Sequence, residues 1–398
     1  MMLRSTLLAL LLLLGSPAVA DDEVFRLQDP KGDDHGTGAL LYPNRPDMER
    51  GDLDLVEFSA RLDEDGTWFT VEFARPIRDP RGEVTQIGQT PIEKLARHGF
   101  YTFNVDVYVD RDRVAGSGRT QTLPGRNVDV DRAFAWEKAI VVSPRPDIAR
   151  TLLELHLDNV YENELRARQG RVSKSEIEAI QARSQAEVAE HYVFPDAIRV
   201  RGRKLEFFVP AADLGGQASA NWAYTVLVTG ADIEQLGRVD FNPTQRPRMM
   251  TMPVMRGMQY DAFGLPAEAD LAQAPIVDLL APQSGTQETA LDDYDVIAGH
   301  LAQVPGVAPD GRVATAAGSD APAAAATAAR IEAVTRAPRA AEAGTAAPAG
   351  AQPTSPTAAP STPRTVPARL RTLNQLLEEG LITEEEYGEL RRKILSEL

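Results

Sequence analysis

The chain has 398 residues, no cysteine and a formal net charge of −16 at pH 7. Without cysteine it forms no disulfide bonds, so its fold depends on an apolar core, supplemented at most by a bound metal. The negative charge argues against nucleic acid and anionic membrane surfaces as partners, because both attract basic patches. It is compatible with the binding of a divalent cation.

The first twenty residues have the pattern of a secretory signal peptide. A basic start at Arg4 is followed by an apolar run over residues 7–14 and by an Ala-x-Ala end at Ala20. The run is shorter than the roughly 18 apolar residues that a membrane span needs. We therefore expect cleavage after Ala20, no membrane span, and a periplasmic or secreted protein of a Gram-negative cell.

A segment rich in aspartate and glycine covers residues 29–43. It contains Asp29, Asp33 and Asp34, and its glycines permit the positive φ angles of a tightly wrapped loop. Carboxylate and carbonyl oxygens are the ligands that calcium prefers, although the spacing is not that of an EF-hand. The alternative is an acidic turn held by its own side-chain-to-backbone hydrogen bonds. Candidate ligands further along the chain are Asp52, Asp54 and Asp106.

Short runs of alternating apolar and polar residues recur between turn signals from about residue 22 to residue 300. Examples are residues 68–73, 101–109, 204–209 and 222–229. Many short strands without βα units predict a mainly β fold, an antiparallel β-sandwich. We place this domain at residues 21–303.

One segment of this domain, residues 173–191, departs from the β pattern. It is rich in helix-forming residues, and Ser173 and Glu176 have the spacing of a capping box. Its apolar stripe is narrow, with Ile177, Ile180 and Val188 as the members. We predict a largely solvated helix, inserted between strands and lying over one edge of a sheet.

The composition changes to Ala, Pro, Thr and Gly over residues 304–367. Such a stretch has too little large apolar surface to offset the entropy lost on ordering, so we predict a disordered linker. A chain of this length would span roughly 40–50 Å if it were freely flexible.

Residues 368–398 are predicted to form a two-helix hairpin. Leu373 and Leu377 lie on one helical stripe that ends at Gly380, and Thr383 begins a second helix with a capping box. A hairpin of this size cannot bury both of its apolar stripes by itself. We therefore expect it to self-associate or to bind a protein partner.

The same segment resembles a known family of short C-terminal domains. The sequence Gly-Leu-Ile-Thr-Glu-Glu-Glu-Tyr at residues 380–387 follows Leu-Asn-Gln-Leu-Leu-Glu-Glu at residues 373–379. This pattern is similar to the SHOCT family. The resemblance implies an oligomerisation or interaction module.

The larger domain resembles the DOMON-like binding module at the C-terminus of glucodextranase. The matching motifs are residues 29–36, 42–43, 105–110, 222–228 and 275–280, in the order of that family. The resemblance implies a β-sandwich akin to carbohydrate-binding family 9, often with structural calcium. Its ligand would be a carbohydrate or an envelope polymer. We accordingly predict calcium ligands from among Asp29, Asp33, Asp34, Asp54 and Asp106.

Carbohydrate modules hold sugars with aromatic faces, and four aromatic residues are candidates. Trp136 and Trp222 lie in strand-like runs and are expected in the core. Trp68 stands beside the turn at Asp65 and is expected to be more exposed. We predict sugar contacts from Tyr42 and Trp68.

Enzymatic activity is not indicated by the sequence. No carboxylate spacing singles out an acid–nucleophile pair, and the chain lacks a Gly-x-Ser-x-Gly elbow and a His-x-x-x-His pair. Two alternatives to sugar binding are a periplasmic protein scaffold and a haem-binding DOMON protein. The haem would use the methionine-rich residues 249–258 with His98 or His156, although such methionines are more often core filler.

Overall fold

The computed structural model describes residues 23–82, 86–87, 90–233, 248–295 and 298–311. The predicted signal peptide, most of the predicted linker and the predicted C-terminal hairpin lie outside the described residues. Two five-stranded β-sheets dominate the described part, accompanied by shorter two-stranded pairs. The prediction of a mainly β fold with antiparallel sheets is therefore confirmed.

Most strands are short, as the turn signals of the sequence indicate. The strands are β1 (Glu23–Gln28), β2 (Leu55–Asp63), β3 (Gly66–Phe73), β4 (Gln86–Ile87), β5 (Thr90–Pro91), β6 (Phe103–Asp110), β7 (Val128–Val130), β8 (Lys138–Val142), β9 (Tyr192–Val193), β10 (Ile198–Arg201), β11 (Lys204–Pro210), β12 (Ala223–Gly230), β13 (Val254–Arg256), β14 (Phe263–Leu265), β15 (Asp278–Leu279) and β16 (Ala302–Val304). The helices are α1 (Ile92–Leu95), α2 (Pro146–Gln169), α3 (Lys174–His191), α4 (Ala211–Leu214) and α5 (Thr286–Asp292), and a 3₁₀ turn spans Arg132–Phe134.

The first sheet has the strand order β1-β2-β3-β11-β10, and all of its pairs are antiparallel. The second has the order β15-β12-β6-β8-β9. Its pairs are antiparallel except β8 with β9, which run parallel. A parallel pair needs a long crossover connection, and α2 and α3 supply it here. The edge strands β1 and β15 contribute to the acidic cluster described below.

Aromatic side chains fill the space between the two sheets. Phe58, Phe69 and Phe207 stand side by side on the first sheet, with ring centroids 5.7 and 5.6 Å apart. Tyr224 of the second sheet packs against Phe58 and donates its hydroxyl hydrogen to the Ser219 carbonyl at 2.9 Å. Because strand residues alternate between faces, the outer face of the first sheet carries Thr70 and Glu72 together with the aromatic pair Trp68 and Phe208.

The central strands of the second sheet are buried on both faces. Every residue of β6 and β12 is buried, so these strands do not show the alternation of a solvated sheet. On the outer face, Val141 packs with Leu153 of α2 and Val188 of α3. Elsewhere on this face Trp136 packs in a cluster with Leu291 of α5 and with β16.

The helical insertion is larger than the sequence analysis predicted. The helix expected at residues 173–191 is confirmed as α3, with the capping box of Ser173 and Glu176 in place. The preceding helix α2 was not predicted, although Pro146 at its first turn and Gly170 at its end are typical helix boundaries. Among the residues that the structure describes, no helix combines the length and apolar composition needed to cross a membrane.

Candidate functional site

A cluster of carboxylates lies where the edges of the two sheets meet. Asp29 directly follows β1, Asp33 lies in the next turn, and Asp278 begins β15. Each of the three offers an oxygen that lies within 4.8 Å of the oxygens of the other two. Asp278 is fully buried. We call this group, with the adjacent Asp34 and Asp54, the acidic cluster.

Backbone hydrogen bonds fix the cluster across the two sheet edges. Asp278 accepts hydrogen bonds from the backbone N–H groups of Leu55 at 2.6 Å and Leu279 at 2.8 Å. Asp29 accepts one from the backbone of Ala281 at 2.6 Å. Two segments that are distant in sequence are therefore connected through carboxylate oxygens.

The flanking carboxylates Asp34 and Asp54 anchor the loops around the cluster. Asp54 accepts a hydrogen bond from the backbone of Gly32 at 2.8 Å. Asp34 is fully buried and accepts hydrogen bonds from the Tyr42 hydroxyl and, at 2.5 Å, from the backbone of Gly51. Asp34 thus connects the aspartate-rich loop to the segment before β2.

Several carboxylate oxygens of the acidic cluster are buried without a hydrogen-bond partner. They are Asp29 Oδ2, Asp33 Oδ1, Asp34 Oδ1 and Asp54 Oδ1. The nearest guanidinium nitrogen to Asp34 Oδ1 is Arg50 Nε, at 3.8 Å. Buried anionic oxygens without partners are costly, so the arrangement favours either protons or a cation.

The pKa values of the acidic cluster reflect this shortage of positive charge. Burial raises the pKa of Asp29 to about 8 and that of Asp54 to about 7, and neighbouring carboxylates add to both shifts. Burial, with Asp29 and Asp33 nearby, raises the pKa of Asp278 well above its usual range. Burial also raises the pKa values of Asp33 and Asp34.

The loop around the cluster depends on one glycine and one glutamine. Gly36 has a φ of +59°, and a Cβ there would lie 2.7 Å from the Ile276 carbonyl oxygen. Gln287 of α5 is fully buried and donates to the carbonyl oxygens of Asp33 at 2.5 Å and Gly36 at 3.2 Å. These contacts hold the aspartate-rich loop against β15.

A cleft of about 550 Å³ lies beside the segment that leads from the aspartate-rich loop into β2. It is lined by parts of residues 46–52 and 75–82 and by Tyr101. Its charged side chains are paired with one another: Arg78 Nε lies 2.9 Å from Asp52, and Arg75 lies 2.9 Å from Glu49. The cleft is therefore polar and carries both hydrogen-bond donors and acceptors.

A family model described as the C-terminal binding-module, SLH-like, of glucodextranase matches residues 24–306. The chain belongs to this family. The match runs from β1 to just beyond β16, so it includes both sheets, the acidic cluster and the cleft. No curated protein matches the chain at a significant level. The resemblance to the glucodextranase module is confirmed, whereas the DOMON-like and SHOCT resemblances stay predictions.

Within this module, the predicted metal ligands Asp29, Asp33, Asp34 and Asp54 come together, but Asp106 does not. Asp106 forms a fully buried ion pair with Arg126, with 2.6 Å between its Oδ2 and the arginine Nε. In the second sheet Asp106 is paired with Leu227, whereas Asp278 is paired with the next residue, Val228. Since successive residues face opposite sides, the inclusion of Asp106 in the ligand set is wrong.

The sequence analysis missed Asp278 as a candidate ligand and overestimated the exposure of Trp68. Asp278 was noted only as part of a family motif, and its apolar neighbours gave no sign of a charged cluster. Trp68 is 8% exposed, because Arg199 lies over its ring at 4.1 Å and Phe208 packs beside it. A sugar contact by Trp68 stays a prediction, and it requires Arg199 to move aside.

The other aromatic candidates are structural in this geometry. Tyr42 packs edge-on against Phe263 and hydrogen-bonds Asp34, so it supports the acidic cluster. Trp136 is fully buried, as expected, and Trp222 is partly buried against the main core. Sugar binding by Tyr42 stays a prediction.

The methionine-rich strip is divided between core and surface. Met249, Met250 and Met252 are buried, whereas Met255 and Met258 are 47% and 60% exposed. Met249 and Met250 pack with Leu153 and Val188 beneath the helical insertion. This packing explains the buried methionines as core filler without a haem.

A second group of carboxylates, Asp110, Asp112 and Glu137, lies at the end of β6. Burial raises the pKa of Asp110 to about 6 and that of Glu137 to about 7. Arg113 Nε lies 3.4 Å from Asp110 Oδ2, so this group includes a cation of its own. In the acidic cluster the exposed Arg50 lies 3.8 Å from Asp34, and among the described residues no arginine or lysine is paired with Asp29, Asp33 or Asp278, which makes this cluster the better candidate for a metal ion.

Proposed function

We propose that the domain is an exported carbohydrate-binding module that is stabilised by calcium at the acidic cluster. Membership of a family of glucodextranase binding modules supports a carbohydrate as the ligand class. The observation that carries the calcium proposal is the set of buried, unpartnered oxygens of Asp29, Asp33, Asp34 and Asp54 beside the fully buried Asp278.

The chemistry of the acidic cluster suits calcium. All candidate ligands are oxygen atoms, which hard cations prefer, and calcium accepts six to eight of them with flexible geometry. Asp29, Asp33 and Asp278 would hold the ion, with Asp54 and Asp34 beside it. A bound ion would supply the positive charge that the buried carboxylates lack. It would also join the edges of the two sheets, because its ligands come from both.

Thermal unfolding of the whole protein with and without calcium tests the metal proposal. Exported calcium modules bind with dissociation constants of about 10⁻⁴–10⁻³ M. Calcium at 10 mM should then stabilise the fold by about 1.4–2.7 kcal/mol and raise the midpoint relative to chelator. Asp33→Asn should abolish the rise, whereas the exposed Asp213→Asn should keep it. An unchanged midpoint for the unsubstituted protein would contradict calcium binding.

Binding to a glycan array tests the carbohydrate proposal. We expect the protein to retain at least one class of oligosaccharide in the presence of calcium. If no glycan is retained under any condition, the carbohydrate proposal fails and a protein scaffold becomes the better explanation. Sequencing the N-terminus of the mature protein tests the export proposal, which expects a start at residue 21.

A further inference from the structure

The cleft beside the acidic cluster has the size of a small-ligand site and a mainly charged lining. Its volume of about 550 Å³ falls within the range of ligand pockets in proteins, about 300–1,000 Å³. Glu49, Arg75 and Arg78 line it and remain 55%, 41% and 30% exposed at their side chains. A ligand can therefore reach charged groups of both signs.

The charges of the cleft favour a neutral, hydroxyl-rich ligand. A hydroxyl group both donates and accepts hydrogen bonds, so it can bind guanidinium and carboxylate groups at once. Each of the four lining carboxylates is paired with an arginine, so the charges balance: Asp47 with Arg45, Glu49 with Arg75, Asp52 with Arg78 and Asp79 with Arg81. A charged sugar would therefore gain no net attraction, and an apolar ligand would leave these charges unsolvated.

The segment of residues 46–52, part of which lines the cleft, contacts the acidic cluster through Arg50 and Gly51. Asp34 accepts a hydrogen bond from the Gly51 backbone, and Arg50 donates to the Gly32 carbonyl at 3.2 Å. The residues on either side of Arg50 and Gly51 are also joined, because Asp52 accepts a hydrogen bond from the Glu49 backbone at 2.9 Å. The same loop therefore contacts the cluster on one side and lines the cleft on the other.

Gly51 also determines how closely the two lining segments approach. Its φ is +93°, and a Cβ at this position would lie 2.9 Å from Arg75 Cδ. Arg75 in turn donates to the Arg50 carbonyl at 3.0 Å. A displacement of Gly51 relative to Asp34 would therefore move a charged group that lines the cleft.

We propose that this cleft binds a neutral sugar chain, and that a cation at the acidic cluster strengthens the binding by fixing the segment of residues 46–52. This inference rests on the proposed carbohydrate-binding function and names its site. Linkage is reciprocal, so saturating sugar should also tighten the binding of calcium.

The test starts from an array of neutral and uronate oligosaccharides, probed with the whole protein. The strongest neutral binder is then titrated by calorimetry against Glu49→Gln/Arg75→Gln, in calcium and in chelator. We expect the double variant to bind about tenfold more weakly or worse, since it loses hydrogen bonds to charged groups. We expect chelator to weaken the binding of the unsubstituted protein, and a retained calcium-dependent unfolding midpoint shows that the variant is folded.

Matched controls replace two arginines of the first sheet away from the cleft, Arg199 in β10 and Arg203 in the turn between β10 and β11. Arg203→Gln and Arg199→Gln remove positive charge near Glu72 and near Trp68, and both should bind as the unsubstituted protein does. Unchanged binding by the cleft variant would overturn the assignment of the site while the carbohydrate function stands. A preference for uronates, or tighter binding only in Arg199→Gln, where Trp68 is uncovered, would overturn it in the same way. If the protein binds no glycan at all, both proposals fail.

Discussion

Two buried aspartates of the second sheet differ in how their negative charge is compensated. Asp106 and Arg126 are both 1% exposed and neutralise each other in a bidentate ion pair. Asp278 is equally buried, but its partners are backbone N–H groups and its nearest charges are other carboxylates. The charge of Asp106 is neutralised within the protein, whereas Asp278 favours a proton or a cation from solution.

Breaking the Asp106–Arg126 pair should therefore be more damaging than removing it altogether. Asp106→Ala leaves a buried guanidinium without its counter-charge and should destabilise the fold by about 3–5 kcal/mol. The double variant Asp106→Ala/Arg126→Met should lose less, because no charge remains buried. Urea unfolding measures both. A loss in the double variant as large as that in Asp106→Ala, or larger, would contradict this expectation.

The sequence identified the locally clustered aspartates but not the distant one. Asp29, Asp33 and Asp34 were recognisable because they share one glycine-rich loop. Asp278 was not, because its place beside them depends on the pairing of β15 with β12. Asp106 was wrongly included because the direction of a strand side chain depends on a register that no local pattern reveals.

At the scale of elements, the alternating runs predicted the strands but not which of them are buried on both faces. β11 alternates regularly between buried and partly exposed residues, so its run was recognised as a strand. β6 is buried throughout because the first sheet covers one of its faces and Arg126, Trp136 and Met250 contact the other, while the helical insertion covers its neighbour β8. Of the two helices of the insertion only α3 was predicted, because α2 carries few apolar residues outside its contact with the sheet.

A partly buried histidine is expected to make the stability of the helical insertion dependent on pH. Burial lowers the pKa of His156 in α2 from 6.5 to about 4. Below pH 6.5 His156 is protonated in the unfolded chain but stays neutral in the folded chain. The free energy of unfolding therefore decreases as the pH falls from 6.5 to 4. We expect a loss of up to about 3 kcal/mol from this group.

Urea unfolding of the unsubstituted protein and of His156→Leu between pH 4 and pH 7 checks this expectation. The variant should show a smaller loss of stability on acidification. His98 and His191, whose pKa values are also lowered by burial, act in both proteins and cancel in the comparison. A difference between the two proteins that is constant with pH would contradict the assignment.

At the scale of the whole molecule, the sequence predicts a binding domain joined to a self-associating hairpin. Residues 368–398 lie outside the described part of the chain, so this expectation depends on their apolar stripes alone. Several binding domains carried by one oligomer would bind a repetitive polymer with increased avidity. This matters for a cleft that offers polar groups to a single short stretch of ligand.

Deletion of residues 368–398 should convert an oligomer into a monomer without changing the stability of the sandwich. Light scattering of the full chain and of the truncated chain measures the mass, and thermal unfolding in calcium measures the stability. An equal mass per particle in both proteins would contradict the role of the hairpin. A lower midpoint of the truncated chain would indicate that the hairpin packs on the sandwich.

The residues that would hold the cation come from opposite ends of the domain sequence. The hydrogen bond that joins Ala281 to Asp29 spans 252 positions of the chain. Contacts of such high sequence separation form late, because closing a long loop costs entropy before the contact is made. The acidic cluster therefore does not exist until β15 has docked beside β12. We therefore expect the cation to bind only the folded domain, so that it stabilises the completed fold and does not help to initiate folding.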